Sequence, residues 1–197
     1  MKALKRRRRP PVKISPLVFP VLLAAANYLP IPYIVGFLAA VAAHEAGHVF
    51  ALKTLKCPIY GVELSPGGVI LECSPKSYKD DLISAAAGPA ASFLFAAVVA
   101  IFNAGSFVTP PAFYISLLLG FLNLLPVEGL DGGRALSAFL SQKSGLPPPH
   151  PAEAFINAAA LALLFFVSCF LFLETGENPT MLVFCLGAMM KGERETA

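Results

Sequence analysis

The sequence predicts an all-α polytopic membrane protein of about six transmembrane helices, with a short membrane-associated β-hairpin between the second and third. Three observations carry this. Hydrophobic residues make up 56% of the 197-residue chain and charged residues only 14%, far from the balance of a soluble globular domain. Six apolar stretches can be drawn: residues 14–29, 31–52, 82–102, 113–125, 154–173 and 180–190. Threading them alternately from a cytosolic amino terminus leaves every lysine and arginine on the cytosolic side.

The basic segment 1–13 holds seven of the fifteen cations, including Arg6 to Arg9. Hydrophobic chain follows at once, so this reads as a cytosolic anchor rather than a nucleic-acid arm. The first apolar stretch has no clear small-residue cleavage site and is expected to be retained. The second, third and fifth stretches are about 20 residues long, enough for a hydrocarbon core of about 30 Å. The others are shorter or contain proline, and residues 180–190 could instead lie along the interface. Without a sixth span, Lys191 and Arg194 would be stranded outside, so six is the better count. Residues 14–190 are thus expected to form one membrane-embedded domain, followed by a cytosolic tail at 191–197. The protein is expected to be integral to a cell membrane with both termini cytosolic.

Between the second and third spans, Ile59 to Leu64 and Val69 to Glu72 flank Ser65-Pro66-Gly67-Gly68, the pattern of a β-hairpin with a tight turn. Asp80 and Asp81 read as interfacial charges beside Lys79, and His150 as a solvated residue of a proline-rich connection. Cys57, Cys73, Cys169 and Cys185 form no CxxC pair and read as free thiols or small apolar fillers.

The chemistry is concentrated in His44-Glu45-Ala46-Gly47-His48, inside the second apolar stretch. Residues four apart on a helix share a face, so His44 and His48 can aim two imidazoles at one metal ion. Glu45 lies where it could accept a proton from a water on that metal. Two imidazoles and a carboxylate in a membrane-length apolar segment are costly, which marks a functional site. The plainer alternative is a pair of hydrogen-bonded core histidines. His48 precedes Lys53 by five residues, which places the site about 10 Å below the cytosolic boundary.

A catalytic zinc usually has three protein ligands and keeps a fourth position for water. The third ligand is sought in Asn123-Leu124-Leu125-Pro126-Val127-Glu128-Gly129-Leu130-Asp131-Gly132-Gly133, where proline and glycines break the fourth span at similar depth. Broken helix at membrane depth is tolerated where it lines a cavity. Asp131 is the best candidate, with Glu128 as its competitor.

With these motifs in place, the chain resembles the site-2 protease family of intramembrane zinc metalloproteases. It looks most like the branch containing stage IV sporulation protein FB. The resemblance rests on HEAGH at 44–48, NLLPVEGLDGG at 123–133, Gly88-Pro89 and ELSPGG at 63–68, and covers residues 14–146. It implies one zinc ion held by His44, His48 and Asp131, with Glu45 as catalytic base. It also implies a substrate-side role for Asn123 and Pro126, and the hairpin adds Gly67, Gly68 and Val69 as substrate-binding candidates. Relatives of this branch often carry Asn a few residues after Gly-Pro, where this chain has Ser92. Neither a PDZ insertion nor a CBS domain is expected in the sequence given.

The implied reaction is hydrolysis of a peptide bond in or near a transmembrane segment of another protein. The implied partners are single-span membrane proteins, such as a membrane-tethered transcription-factor precursor or an anti-sigma factor. A membrane inhibitor protein is a further possible partner, and nucleic acid is not expected. Two other readings stand beside it. A metal-ion transporter would string polar residues along several spans, and these spans are dry apart from Asn27, Ser92, Ser116, Ser168 and the motifs. A catalytically inactive membrane adaptor would not need Glu45.

Overall fold

A computed structural model describes residues 11–16, 18–65, 68–104 and 110–175. The elements in chain order are β1 (Val12–Ile14), α1 (Val18–Tyr28), α2 (Ile31–Thr54), β2 (Ile59–Ser65) and β3 (Gly68–Cys73). There follow α3 (Tyr78–Phe102), α4 (Pro111–Asn123), α5 (Asp131–Ser144) and α6 (Pro151–Thr175).

Three of the described helices are long and apolar enough to cross a membrane: α2, α3 and most of α6. Their 24 or 25 residues correspond to about 36 Å of helix, more than the hydrocarbon core requires. At 13 residues, about 20 Å, α4 is too short for a full crossing by itself. The expected first stretch becomes an 11-residue helix, α1, because Ser15 and Pro16 separate it from a strand. Residues 180–190, expected as a sixth span, lie outside the described residues.

Local chemistry explains the helix boundaries. Proline sits in the first turn of α2 and of α4, where its missing N–H costs nothing. Ser77 caps α3, its hydroxyl accepting from the Asp80 N–H at 3.1 Å, and two aspartates in the first turn complement the helix dipole. Gly145 closes α5 in the left-handed conformation, φ 72°, with its N–H on the Ser141 carbonyl.

The core is built from small residues. Ala40, Ala51, Ala85, Ala96, Ser84, Ser92 and Ser116 are buried, whereas Phe37, Leu38, Leu94, Phe121, Leu163 and Phe166 point outward. This inverts the soluble pattern and suits helices packed in lipid, where close backbone approach supplies the attraction. Helices α2, α3 and α4 form the packed centre, α5 lies against α3, and α6 touches α5 only lightly.

The hairpin is present, but it belongs to a three-stranded mixed sheet in the order β1-β2-β3, so the fold is mostly rather than wholly helical. β1 runs parallel to β2, pairing Val12 with Val62 and Ile14 with Leu64, and β3 runs antiparallel, pairing Leu64 with Val69. Three residues beside a basic tail gave no strand signal; Val12 to Ile14 becomes a strand because β2 offers it an edge. As a result β2 is the central strand. Among the described residues, β1 covers β2 from Val62 to Leu64, and β3 is left with an unpaired outer edge.

Candidate metal centre

Both histidines lie on one face of α2, buried at 5% and 7% exposure. Their Nε2 atoms converge with one oxygen of Asp131. His44 Nε2 is 3.0 Å from Asp131 Oδ2, His48 Nε2 is 3.1 Å from it, and the two Nε2 atoms are 3.3 Å apart. Four tetrahedral ligands on zinc at about 2.0–2.1 Å stand about 3.3–3.4 Å from one another, so the spacing matches three corners of such a site.

The outer ring nitrogens are held by partners on α3. His48 Nδ1 is 2.8 Å from the Ser84 carbonyl, which can only accept, so Nδ1 carries the proton. Nε2 is then the ring atom left to hold a metal, and it faces the carboxylate. His44 Nδ1 lies 2.8 Å from Ser92 Oγ, which holds the ring with its Nε2 turned inward. Two ring nitrogens and a carboxylate oxygen brought this close must share positive charge, which protons or a metal ion can supply. A set of two histidines and one aspartate suits zinc.

Asp131 heads α5, which is not one of the spanning helices. Burial raises its carboxyl, but the facing imidazoles of His44 and His48 outweigh burial and hold it below the ordinary carboxylate range. The group is thus ionised, as a ligand must be.

Helix α3 supplies the back wall. Ser84, Gly88 and Ser92 recur every four residues on one face and meet both histidines. A Cβ on Gly88 would lie 2.1 Å from His48 Nε2 and 2.7 Å from His44 Nε2, so only glycine fits behind the ligand atoms. The break after α4 brings up the third group. Leu124 ends the helix, Gly129 turns the chain at φ 88°, and α5 begins at Asp131 itself. Gly132 permits this start, since a Cβ there would lie 2.3 Å from the Leu124 carbonyl oxygen.

Among the described residues, the cluster that could hold a metal contains Asp131 and not Glu128. Glu128 is exposed, and its backbone N–H donates to Asn157 Oδ1 at 2.9 Å. Glu45 is half-buried on α2 beside His44. Asn123 ends α4 and donates its side-chain amide to the Leu119 carbonyl at 3.0 Å; Pro126 lies half-buried in the break. Gly68 and Val69 open β3, whereas Gly67 lies outside the described residues.

Two readings of the sequence change. Asp81 is not a plain interfacial charge, because it pairs with Arg134 on α5. His150 is not simply solvated, because its Nε2 lies 2.9 Å from the buried Ser141 hydroxyl. Ser92, which stands where relatives carry Asn, meets His44, whereas the contact of the Ser84 carbonyl with His48 has no signal in the sequence beyond its i, i+4, i+8 spacing with Gly88 and Ser92.

Gly88→Ala is expected to reduce bound zinc from one per chain to a small fraction while the helical circular dichroism persists. Metal analysis of the purified variant checks this, and full occupancy would contradict the placement of α3 against the ligand atoms.

The sequence profile of peptidase family M50 matches residues 106–167, the segment holding Asn123, Pro126 and Asp131. A zinc metalloprotease of Methanocaldococcus jannaschii is 35% identical over 133 residues, 62% of this chain and 39% of that protein. The regulator of sigma-W protease RasP of Bacillus subtilis is 42% identical over 53 residues, 27% of this chain and 13% of that protein. The chain therefore spans well under half the length of these curated relatives. The solved site-2 protease from Methanocaldococcus jannaschii shares the fold, with a TM-score of 0.63 at 24% identity, covering 92% of this chain and 86% of that one. These likenesses reach the family at large and do not single out the sporulation branch. The chain is therefore similar to peptidase family M50 over residues 106–167 and shares the fold of the solved site-2 protease.

Proposed function

We propose that this protein is an intramembrane zinc endopeptidase that hydrolyses a peptide bond in or beside a transmembrane segment of another membrane protein. The observation that carries the reading is the meeting of His44 Nε2, His48 Nε2 and Asp131 Oδ2 within 3.3 Å, next to Glu45. His44, His48 and Asp131 hold one zinc ion, which when bound polarises the scissile carbonyl and acidifies water. Glu45 takes the proton of the attacking water and passes it to the departing amide nitrogen as the C–N bond breaks. The Ser84 carbonyl fixes the His48 tautomer that presents Nε2 to the metal, and the Ser92 hydroxyl orients the His44 ring.

A transmembrane helix hides its amides in its own hydrogen bonds, so the substrate must unwind before attack. The open edge of β3 offers replacement partners for the unwound segment. This edge leads toward the site: Cys73, the last residue of β3, lies 3.9 Å from the Arg134 guanidinium, three residues beyond Asp131. Gly68 and Val69 begin this docking strand, and Asn123 and Pro126 flank the site from the α4 break. Gly67, which lies outside the described residues, is assigned to substrate binding on its place in the sequence beside them.

We also propose six spans, with the sixth at residues 180–190, both termini cytosolic and the site opening to the cytosol. The support is the one-sided distribution of lysine and arginine. The substrate class is a single-span membrane protein, such as a tethered transcription-factor precursor or an anti-sigma factor. A relative named as a regulator of sigma-W protease fits the second class. A membrane inhibitor protein is a further partner in this reading.

Co-expression with candidate single-span proteins tests the catalytic assignment. Glu45→Gln is expected to keep one zinc per chain and to slow cleavage by about 10²- to 10⁴-fold, judged by immunoblot of the product; wild-type cleavage in that variant would remove Glu45 from the mechanism. Strand addition is tested by Val69→Pro and Ile70→Pro. Successive N–H groups on an edge strand point in opposite directions, so one of these prolines removes only a donor facing the substrate. That variant should lose most cleavage while retaining zinc, and undiminished cleavage in both would exclude docking on β3.

A further inference from the structure

We infer that Arg134 is a positioning residue for the metal centre, acting through Asp81 to fix where the third ligand stands. The inference rests on the metal reading above. Asp131 is the first residue of α5, so its carboxylate meets the imidazoles only if the helix begins at one point and one angle. No side-chain cap sets that point, because the N-cap residue is Leu130. Arg134 stands three residues along, on the same side of the helix as Asp131.

The Arg134 guanidinium is anchored to the helix that orients the histidines. Its Nε donates to Asp81 Oδ1 at 2.7 Å, and Nη2 forms an ion pair with the same oxygen. Asp81 precedes Ser84 by three residues on α3, and Ser84 supplies the carbonyl that fixes His48. One short stretch of α3 therefore holds both sides of the centre, His48 through Ser84 and Asp131 through Arg134. Nη2 also approaches Cys73 Sγ at 3.9 Å, so the end of β3 meets the same guanidinium.

The pair is half-buried, with side chains 37% and 27% exposed. A partly solvated ion pair adds little to global stability. Its consequence is geometric, and it belongs with the outer contacts whose loss lowers metal affinity by about 10- to 100-fold.

The test is a double-mutant cycle on the full chain in detergent, reading the zinc dissociation constant by chelator competition. Arg134→Gln and Asp81→Asn are each expected to weaken zinc about tenfold or more. The double variant should be no weaker than the worse single variant, because either change already breaks the link. Arg134→Lys, which keeps the charge but loses the planar fork, should fall between wild type and Arg134→Gln. Asp80→Asn, one residue away, should bind zinc as wild type does. Single variants equal to wild type, losses that multiply in the double variant, or an equal loss in Asp80→Asn would each overturn the inference. A wild type that binds no zinc would instead overturn the metal reading itself, so the two failures are distinguishable.

Discussion

Imidazole and carboxylate groups withdrawn from water keep their place only if every polar atom on them has a partner, and in this protein one face of α3 provides most of those partners. Ser84 and Ser92 engage the outer nitrogens of the two histidines, and Gly88 between them leaves room for the inner nitrogens. Asp81, one turn earlier, reaches α5 through Arg134. The remaining lone pairs all point to one spot, and a divalent cation is the natural way to satisfy them together. Larger side chains on this face would separate α2 from α3 and expose the imidazoles to an environment that cannot solvate them.

The packing around this face follows from a lipid solvent. With no hydrophobic drive to bring helices together, small residues line the contacts and large apolar residues turn outward. Irregular backbone appears where the site requires it. The chain leaves α4 after 13 residues, turns through Pro126 and Gly129, and restarts as α5 with a carboxylate in the first turn. The freed backbone groups are reclaimed locally: the Val127 N–H donates to the Leu125 carbonyl at 2.7 Å and the Leu130 N–H to the Val127 carbonyl at 3.0 Å. A helix run straight through this region would carry residue 131 past the histidines.

What the sequence could reveal follows from where its information lies. The His-Glu-x-x-His spacing fixes two imidazoles on one helix face, so the bringing together of His44 and His48 could be read directly. Asp131 over Glu128 was only a preference, because the turn at Gly129, two residues from one and one from the other, decides which carboxylate reaches inward. The long helices α2, α3 and α6 announced themselves by continuous apolarity, and the hairpin by its turn residues. β1 did not, since a three-residue strand exists only through its partner β2. Nor did the Asp81–Arg134 pair, because two charges 53 positions apart carry no mark of their pairing until α3 and α5 are packed.

X-ray absorption at the zinc edge, on the full chain loaded with one equivalent of zinc, probes this convergence most directly. The account predicts a first shell of two imidazole nitrogens and a carboxylate oxygen, with one further light atom, at about 2.0–2.1 Å. A shell containing sulfur, or only one imidazole, would contradict it.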